Sequence, residues 1–296
     1  MSPRLALIGY GEVGQTLGSD LAAAGFTDVV VHDRLFDDPD SPPSRAAASR
    51  GARTKVDIEE ACADRDLVIS AVTAGEALNV ARAAAPYLGL AFFLDLNSVA
   101  PQTRQAQANT IGARYVEGAV MAPIGPKRLK TPILLGGPSA QAIAPLLAEL
   151  GFAARPDSYE IGQASAVKLS RSIFVKGLEA IVTESLASAR HYGVEDEVLA
   201  SLSNTIPHPD WPGLARYLLS RPLVHGRRRS EEMVEAVKMQ MAADLDAPMT
   251  FAMVEVQARQ GALGLARAAD GEEDLIGLLD LIAERVKTLA SQQRGD

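Results

Sequence analysis

Three glycines near the start of the chain have the spacing of a phosphate-binding loop. Gly9, Gly11 and Gly14 form the pattern G-x-G-x-x-G between a short apolar run and a helical pattern. In such a unit the first glycine permits a tight turn, the second lets a pyrophosphate approach backbone amides, and the third lets the helix pack close to the strand. The pattern predicts a dinucleotide site. Its contacts would include the intervening residues Tyr10, Glu12 and Val13.

An acidic residue follows at the position where a ribose would lie. The next apolar run ends in Asp33, nineteen residues after Gly14. A carboxylate there accepts hydrogen bonds from ribose hydroxyls and repels a 2′-phosphate, which favours NAD. Arg34 comes directly after it, and an arginine can bind a 2′-phosphate. We therefore expect NAD or NADP as cofactor, with NAD favoured.

A third segment could contact the nicotinamide half of the cofactor. Thr73 and Glu76 have the T-x-x-E spacing of a capping box that begins a helix. Val72 and Thr73 also follow an apolar run, where the cofactor would pass. Both interpretations stay open.

Lys168 is the candidate acid or base. It lies near the start of a long apolar helical pattern, and burial there would reduce the preference of its amine for the charged form. Hydride transfer from an alcohol requires loss of the hydroxyl proton, which such an amine can accept. On helix position alone, a surface lysine with its amine in water is the more common case. The upstream Gly162, the apolar surroundings and the other motifs favour the catalytic role.

The elements that would position these residues follow from short apolar runs that alternate with helical patterns. The runs cover residues 4–9, 28–33, 66–72, 90–96, 114–120 and 132–137. Strand and helix in that alternation predict βαβ units on a parallel sheet. Residues 36–55 interrupt the pattern and are predicted to form a surface excursion with a small helix at residues 44–50.

The second half of the chain is predicted to be helical. A long pattern from about Gln163 ends at Gly193, and its apolar residues cover most of the helix circumference, so we expect burial on several sides. A final amphipathic helix begins at Leu275. The predicted fold class is an α/β Rossmann domain, residues 1–160, followed by a long connecting helix and an all-α C-terminal domain within residues 161–296.

Composition excludes several classes of function. The 29 Lys and Arg residues against 37 Asp and Glu give a net charge of −8, which does not suit a nucleic-acid partner. Cys62 is the only cysteine, so we expect a core residue, no disulfide and a reducing compartment. No cluster has metal-ligand spacing, and no metal is predicted.

No apolar run reaches the roughly 20 residues that a membrane-spanning helix needs. Only four residues precede the first strand, which leaves no room for a signal peptide. We therefore expect a cytoplasmic protein without a membrane partner.

Three segments together resemble the β-hydroxyacid dehydrogenase family, which includes 3-hydroxyisobutyrate and 6-phosphogluconate dehydrogenases. They are the glycine loop, residues 95–101 as a D-x-[ST]-[ST]-x-x-P loop, and residues 162–168 as a G-x-x-x-x-x-K helix start. Residues 225–233 are similar to a less characterised branch that includes sugar-acid oxidoisomerases such as apionate oxidoisomerase.

The resemblance implies roles for individual residues. Lys168 would be the general acid/base, and Asn97 and Ser98 would contact the substrate carboxylate and the nicotinamide. The implied reaction is hydride transfer between nicotinamide and a small hydroxy acid or sugar acid, bound in a cleft between the domains. The implied assembly is a homodimer formed through the helical half.

The chain departs from the family pattern at two places. Ser172 stands where the family commonly has asparagine, one turn after the lysine. The family's D-A-P-V-S-G-G loop is replaced by residues 117–123, so that the candidate substrate contacts Met121 and Ala122 form a less polar wall.

Three consecutive arginines, residues 227–229, are predicted beside a helix start. There Arg228 would bind an anionic group of the substrate. A solvated basic turn, balanced by nearby glutamates, is the alternative.

Two other functions stay open. Imine reductases share the architecture but commonly carry an acid or a tyrosine in place of Lys168. A regulatory protein that binds NAD without turnover would explain the altered substrate loop.

Overall fold

The computed structural model describes residues 2–271 and 274–294. The chain divides into two compact units, Met1–Leu169 and Ser170–Asp296, whereas the sequence predicts a boundary near residue 160. The predicted second domain also includes Glu272, Glu273, Gly295 and Asp296, which lie outside the described residues.

The first unit contains an eight-stranded sheet. Its strands are β1 (Leu5–Ile8), β2 (Val29–His32), β3 (Arg53–Lys55), β4 (Leu67–Ser70), β5 (Phe92–Asp95), β6 (Tyr115–Val120), β7 (Ile133–Gly136) and β8 (Ala154–Ser158). Their order is β3-β2-β1-β4-β5-β6-β7-β8. All four residues of β1 and of β4 are buried, as expected for central parallel strands covered on both faces.

Seven α-helices connect these strands. They are α1 (Glu12–Ala23), α2 (Pro42–Arg50), α3 (Ile58–Cys62), α4 (Ala77–Ala84), α5 (Pro101–Ile111), α6 (Ile124–Lys127) and α7 (Ala140–Glu149). One core cluster contains Leu17 and Leu21 of α1 together with Leu5, Leu7 and Ile69 of the sheet. This packing fixes the start of α1 at the carboxyl end of β1.

The six predicted strands are all present, but the sheet differs from the prediction in two ways. The sequence analysis missed β3 and β8, which form its two edges. Their sequences, Arg-Thr-Lys and Ala-Arg-Pro-Asp-Ser, are polar because edge strands face water on one side and tolerate proline. The prediction of a wholly parallel sheet is wrong for β7, which pairs antiparallel with β6.

The long helix α8 (Gln163–Tyr192) crosses the division between the units, and Gly193, with φ of 66°, ends it. The second unit continues with α9 (Glu195–Thr205), α10 (Trp211–Met241), α11 (Pro248–Gly261), α12 (Ala266–Asp270) and α13 (Leu275–Arg294). Its core includes Leu186, Trp211, Leu219, Leu278 and Ile282. The predicted fold class is therefore confirmed.

The prediction that α8 is buried on several sides is wrong for the single chain. Val182 and Leu186 are buried, but Phe174 is 74% exposed and Ile181 is 56% exposed. These two apolar side chains therefore remain largely open to solvent in the described part of the chain.

Of the helices in the described part of the chain, none combines the length and the apolar character that crossing a membrane requires.

Candidate functional site

The three glycines of the first loop have different surroundings. Gly9 has φ of 94°, and a side chain there would overlap the carbonyl of Ala71. A side chain at Gly14 would overlap the carbonyl of Gly9. A Cβ at Gly11 would meet no described atom within 4 Å. Gly9 and Gly14 are therefore needed for the fold itself, whereas Gly11 leaves open space.

That open space lies beside the start of α1. Gly11 is the N-cap of α1, and among the described residues no side chain caps the helix there. The amides of the first turn, which include those of Glu12 and Val13, are thus available to an anion. The loop fits the pyrophosphate of a dinucleotide.

Asp33 lies directly after β2, with its carboxylate fixed by two backbone amides. Tyr10 N donates to Asp33 Oδ2 at 2.8 Å, and Leu35 N donates to Oδ1 at 3.0 Å. Each carboxylate oxygen keeps a further lone pair, so the group can still accept ribose hydroxyls. Arg34 is exposed, and its Nη1 lies 3.7 Å from Glu76 Oε1.

The predicted capping box at Thr73 is wrong. A 3-10 turn, Ala74–Glu76, follows Thr73, and the Thr73 side chain forms no cap hydrogen bond with a described residue. The α-helix begins only at Ala77, and Glu76 Oε1 lies 3.7 Å from Arg34 Nη1.

Asn97 is buried, and its side chain joins the ends of two strands. Its Oδ1 accepts from Val72 N at 2.7 Å, and its Nδ2 donates to Ser70 Oγ at 3.0 Å. The backbone N of Asn97 donates to Asp95 Oδ1 at 2.8 Å. The observed contacts of Asn97 therefore fix the loop that carries Ser98, and a contact of Asn97 with substrate or nicotinamide stays a prediction.

Lys168 and Ser98 are in contact. Lys168 lies in the second turn of α8, and its Nζ donates to Ser98 Oγ at 2.5 Å. Both residues are partly exposed. An amine beside a hydroxyl, both open to solvent, can bind a polar substrate and exchange a proton with it.

A fully buried polar network lies beneath this pair, and the sequence analysis missed it. Asp95, Arg104 and Glu117 have no exposed surface, and Arg104 Nη1 donates to Asp95 Oδ1 at 2.6 Å. Burial opposes the charge of Arg104, but the carboxylates of Asp95 and Glu117 and the hydrogen bond with Tyr115 outweigh that effect and raise its pKa. Burial also raises the pKa of the Tyr115 hydroxyl, so this group stays protonated.

The sequence did carry signals of this network. Glu117 is an ionisable residue inside the buried strand β6, and such a residue needs a buried partner. Arg104 and Gln107 are three residues apart on α5, hence on one helix face, and both are buried.

Comparison with known proteins identifies the family. Residues 4–93 match the family model described as NADP oxidoreductase, coenzyme F420-dependent, and residues 189–260 match a domain of unknown function, DUF1932. A conserved hypothetical protein from Sinorhizobium meliloti 1021 is 36% identical over 96% of this chain and 97% of its own, with a TM-score of 0.74.

A second solved structure is 31% identical over 90% of this chain and 99% of its own, with a TM-score of 0.68. It is a conserved protein of unknown function with described structural similarity to 3-hydroxyacid dehydrogenases. The chain belongs to a β-hydroxyacid dehydrogenase-like family. An uncharacterised 28.5 kDa protein of Methanothermus fervidus is 28% identical over 82% of this chain and 92% of its own.

More distant members of the fold are enzymes. Mycobacterium tuberculosis 3-hydroxyisobutyrate dehydrogenase is 17% identical over 95% of this chain and 99% of its own, with a TM-score of 0.69. An imine reductase from Myxococcus stipitatus, in complex with NAD+, is 18% identical over 95% of this chain and 100% of its own, with a TM-score of 0.55. These two similarities show that the chain shares the fold of these enzymes. Its similarity to apionate oxidoisomerases stays a prediction.

The altered loop of this β-hydroxyacid dehydrogenase-like protein offers few amides. Met121 N donates to Pro132 O at 2.9 Å, and Pro123 has no N–H. Only Ala122 can present an amide between them. The Met121 side chain packs against a cluster that includes Ala164, one helical turn before Lys168.

The remaining candidates lie in the helical unit, and the role of Ser172 in substrate binding stays a prediction. Ser172 is buried, and its Oγ donates to Glu232 Oε1 at 2.6 Å. Glu232 also accepts Lys176 Nζ at 3.0 Å. Burial lowers the pKa of Lys176, although Glu232 opposes that shift. The hydroxyl of Ser172 is thus held by a neighbouring carboxylate.

The predicted helix start beside the three arginines is wrong. They lie in the interior of α10, where Arg228 is exposed and Arg229 is buried against both carboxylate oxygens of Glu179 at 2.7 and 2.6 Å. The helix passes through Gly226 and does not end there. A Cβ at Gly226 would lie 2.6 Å from Gly261 N on α11, so the glycine permits a close helix contact. A role for Arg228 in substrate binding stays a prediction.

Proposed function

We propose that this chain is an NAD(P)-dependent oxidoreductase that transfers a hydride between nicotinamide and a small hydroxy acid or sugar acid. The observation that carries the proposal is the contact of Lys168 Nζ with Ser98 Oγ, in the same unit as the uncapped glycine loop. The nicotinamide, when bound, supplies the hydride acceptor or donor. Lys168 is the general acid/base.

Several residues of the first unit have separate roles in the proposed reaction. Lys168 Nζ accepts the proton of the substrate hydroxyl during oxidation and returns it during reduction. Ser98, at 2.5 Å, holds the amine in place and offers a hydroxyl to the substrate. Met121 and Ala122 form a less polar wall that faces a neutral part of the substrate, because the loop has too few amides to hold a carboxylate.

We favour NAD over NADP as the cofactor. The carboxylate of Asp33 is oriented by Tyr10 N and Leu35 N and would repel a 2′-phosphate. Arg34, which could bind that phosphate, has Glu76 as a neighbour at 3.7 Å, and this weakens its attraction for an anion.

We also propose a homodimer formed through the helical unit. Phe174 and Ile181 are seven residues apart on α8, hence on one side of the helix, and are 74% and 56% exposed. Large apolar side chains that are exposed to solvent in this way are typical of protein interfaces. A second copy of the chain is the occupant that the family resemblance implies.

The test of the enzymatic proposal is a panel of hydroxy acids and sugar acids with NAD and NADP, followed by absorbance of the reduced nicotinamide. Lys168→Met should lower kcat by about 10² to 10⁴-fold while cofactor affinity is retained, because only the proton transfer is lost. Lys287→Met, at an exposed lysine on α13, is the matched control.

Three outcomes separate the alternatives. Turnover that Lys168→Met leaves unchanged contradicts the mechanism. Cofactor binding without turnover across the panel favours a regulatory protein that binds NAD. Reduction of cyclic imines with NADPH, retained in Lys168→Met, favours an imine reductase.

A further inference from the structure

We propose that Arg104 is a positioning residue that holds Ser98 and Lys168 together, through a buried network that joins two separate motifs. The proposal rests on the proposed function in one respect, because it takes Ser98 and Lys168 as the site of proton transfer. Arg104 lies on α5 without exposed surface, so it cannot touch a substrate itself.

One side of the Arg104 guanidinium fixes the loop that carries Ser98. Nη1 donates to Asp95 Oδ1 at 2.6 Å and to Asp95 O at 3.0 Å. Nη2 donates to the backbone oxygen of Asn97, the residue directly before Ser98. The guanidinium therefore holds the backbone segment that positions the Ser98 hydroxyl.

The other side fixes the start of α8. Arg104 Nε donates to Ser165 Oγ at 2.9 Å, and Ser165 lies three residues before Lys168 on the same helix. Glu117 accepts Gly162 N at 2.6 Å and Ser165 N at 2.5 Å, and thus binds the first amides of the helix. The position of the first turn determines where the Lys168 amine lies.

Only arginine can make these contacts together. Its planar fork presents five N–H donors in fixed directions, whereas a lysine amine is a single point with three. Arg104 is also the cation that lies between two fully buried carboxylates, Asp95 and Glu117, with Nε 3.9 Å from Glu117 Oε1. Its removal would leave these two buried carboxylates without a counter-ion and threatens folding.

The decisive variant is therefore milder. Ser165→Ala removes the acceptor on α8 and leaves the pair of Arg104 with Asp95 intact. Ser170→Ala, an exposed serine on the same helix, is the matched control. Ser98→Ala removes the contact with Lys168 directly. Its effect on each readout shows what loss of that contact does.

The first readout needs no substrate. Acetic anhydride acylates lysine amines, and mass spectrometry measures the rate at Lys168 relative to the exposed Lys287. Ser165→Ala should reproduce the change in relative rate that Ser98→Ala causes, while Ser170→Ala should match the wild type. A wild-type rate at Lys168 in Ser165→Ala overturns the proposal.

The second readout uses a substrate found in the panel. Ser165→Ala should lower kcat by about 10-fold or more, with KM and cofactor Kd within about twofold of wild type, because small displacements of a reacting group cost rate. Unchanged kcat also overturns the proposal. If the wild type has no turnover, the proposed function fails and the acylation rate still decides the role of Arg104.

Discussion

Cys62 lies on α3 without exposed surface, among apolar residues that include Ala61, Val68 and Ala81. Burial raises the pKa of its thiol to about 12, and the nearby Arg65 only partly offsets this. The thiol is therefore protonated and inert in the folded chain. This confirms the prediction, made from its being the only cysteine, that it is a core residue.

Cys62 should make the fold sensitive to alkaline pH. Because its folded pKa of about 12 exceeds the usual 9.0, folding favours the protonated thiol. The contribution to the free energy of unfolding is complete below pH 9 and is lost as the pH rises toward 12. Between pH 8 and pH 10, urea unfolding should show wild type losing about 1.4 kcal/mol more than Cys62→Ala. Equal losses in the two proteins would refute this.

Residue types and spacing predicted the glycine loop, Asp33 and Lys168 as candidates, but they did not predict the network beneath Lys168. Glu117, an ionisable residue inside an apolar run, signals that a buried partner exists, but the sequence does not show that Arg104 of α5 is that partner. The same limit applies to Glu232, whose contacts with Ser172 and Lys176 join residues that are far apart in the sequence.

Two glycines of the helical unit show where prediction of elements fails. Gly193 ends α8 with φ of 66°, as predicted. Gly226 lies inside α10, at a close contact with Gly261 of α11. Both follow a helical pattern, and the difference between a helix stop and a helix crossing depends on a neighbour that the local sequence does not contain. The prediction of a helix start beside the arginines was wrong because α10 continues through Gly226.

The apolar side of α8 carries the prediction about assembly. Phe174→Glu should convert a dimer into a monomer in analytical ultracentrifugation, because it introduces a charge into the proposed interface. Tyr192→Glu is the control, since Tyr192 is equally exposed at 77% but lies at the end of the same helix. A sedimentation coefficient that neither change alters would argue against an interface at Phe174.

The architecture of the whole molecule was predicted well because it depends on features that a sequence records directly. The order of six apolar runs determined the parallel centre of the sheet, and the change to helical periodicity near Gln163 determined the second half. The two edge strands were missed, since β3 and β8 are short and polar. The antiparallel direction of β7 was missed because apolar runs do not record strand direction.

Family membership places the chain among β-hydroxyacid dehydrogenase-like proteins but names no substrate. The family's loop is altered here at Met121 and Pro123, and its asparagine is replaced by Ser172, which pairs with Glu232. The resemblance implies that both positions contact the substrate, and this stays a prediction. The glycine loop, by contrast, keeps the complete pattern. Binding of a nicotinamide dinucleotide is therefore the claim on which the rest of the account depends.

Fluorescence titration of NADH and NADPH into wild type and Gly11→Asp tests that claim most directly. Gly11 has φ of −76°, and a side chain there meets no described atom within 4 Å, so the variant should fold with an unchanged Tm. The account predicts saturable binding to wild type, tighter for NADH than for NADPH, and loss of both in Gly11→Asp, whose carboxylate occupies the phosphate position. Absence of binding to wild type, or equal binding to a folded Gly11→Asp, would contradict it.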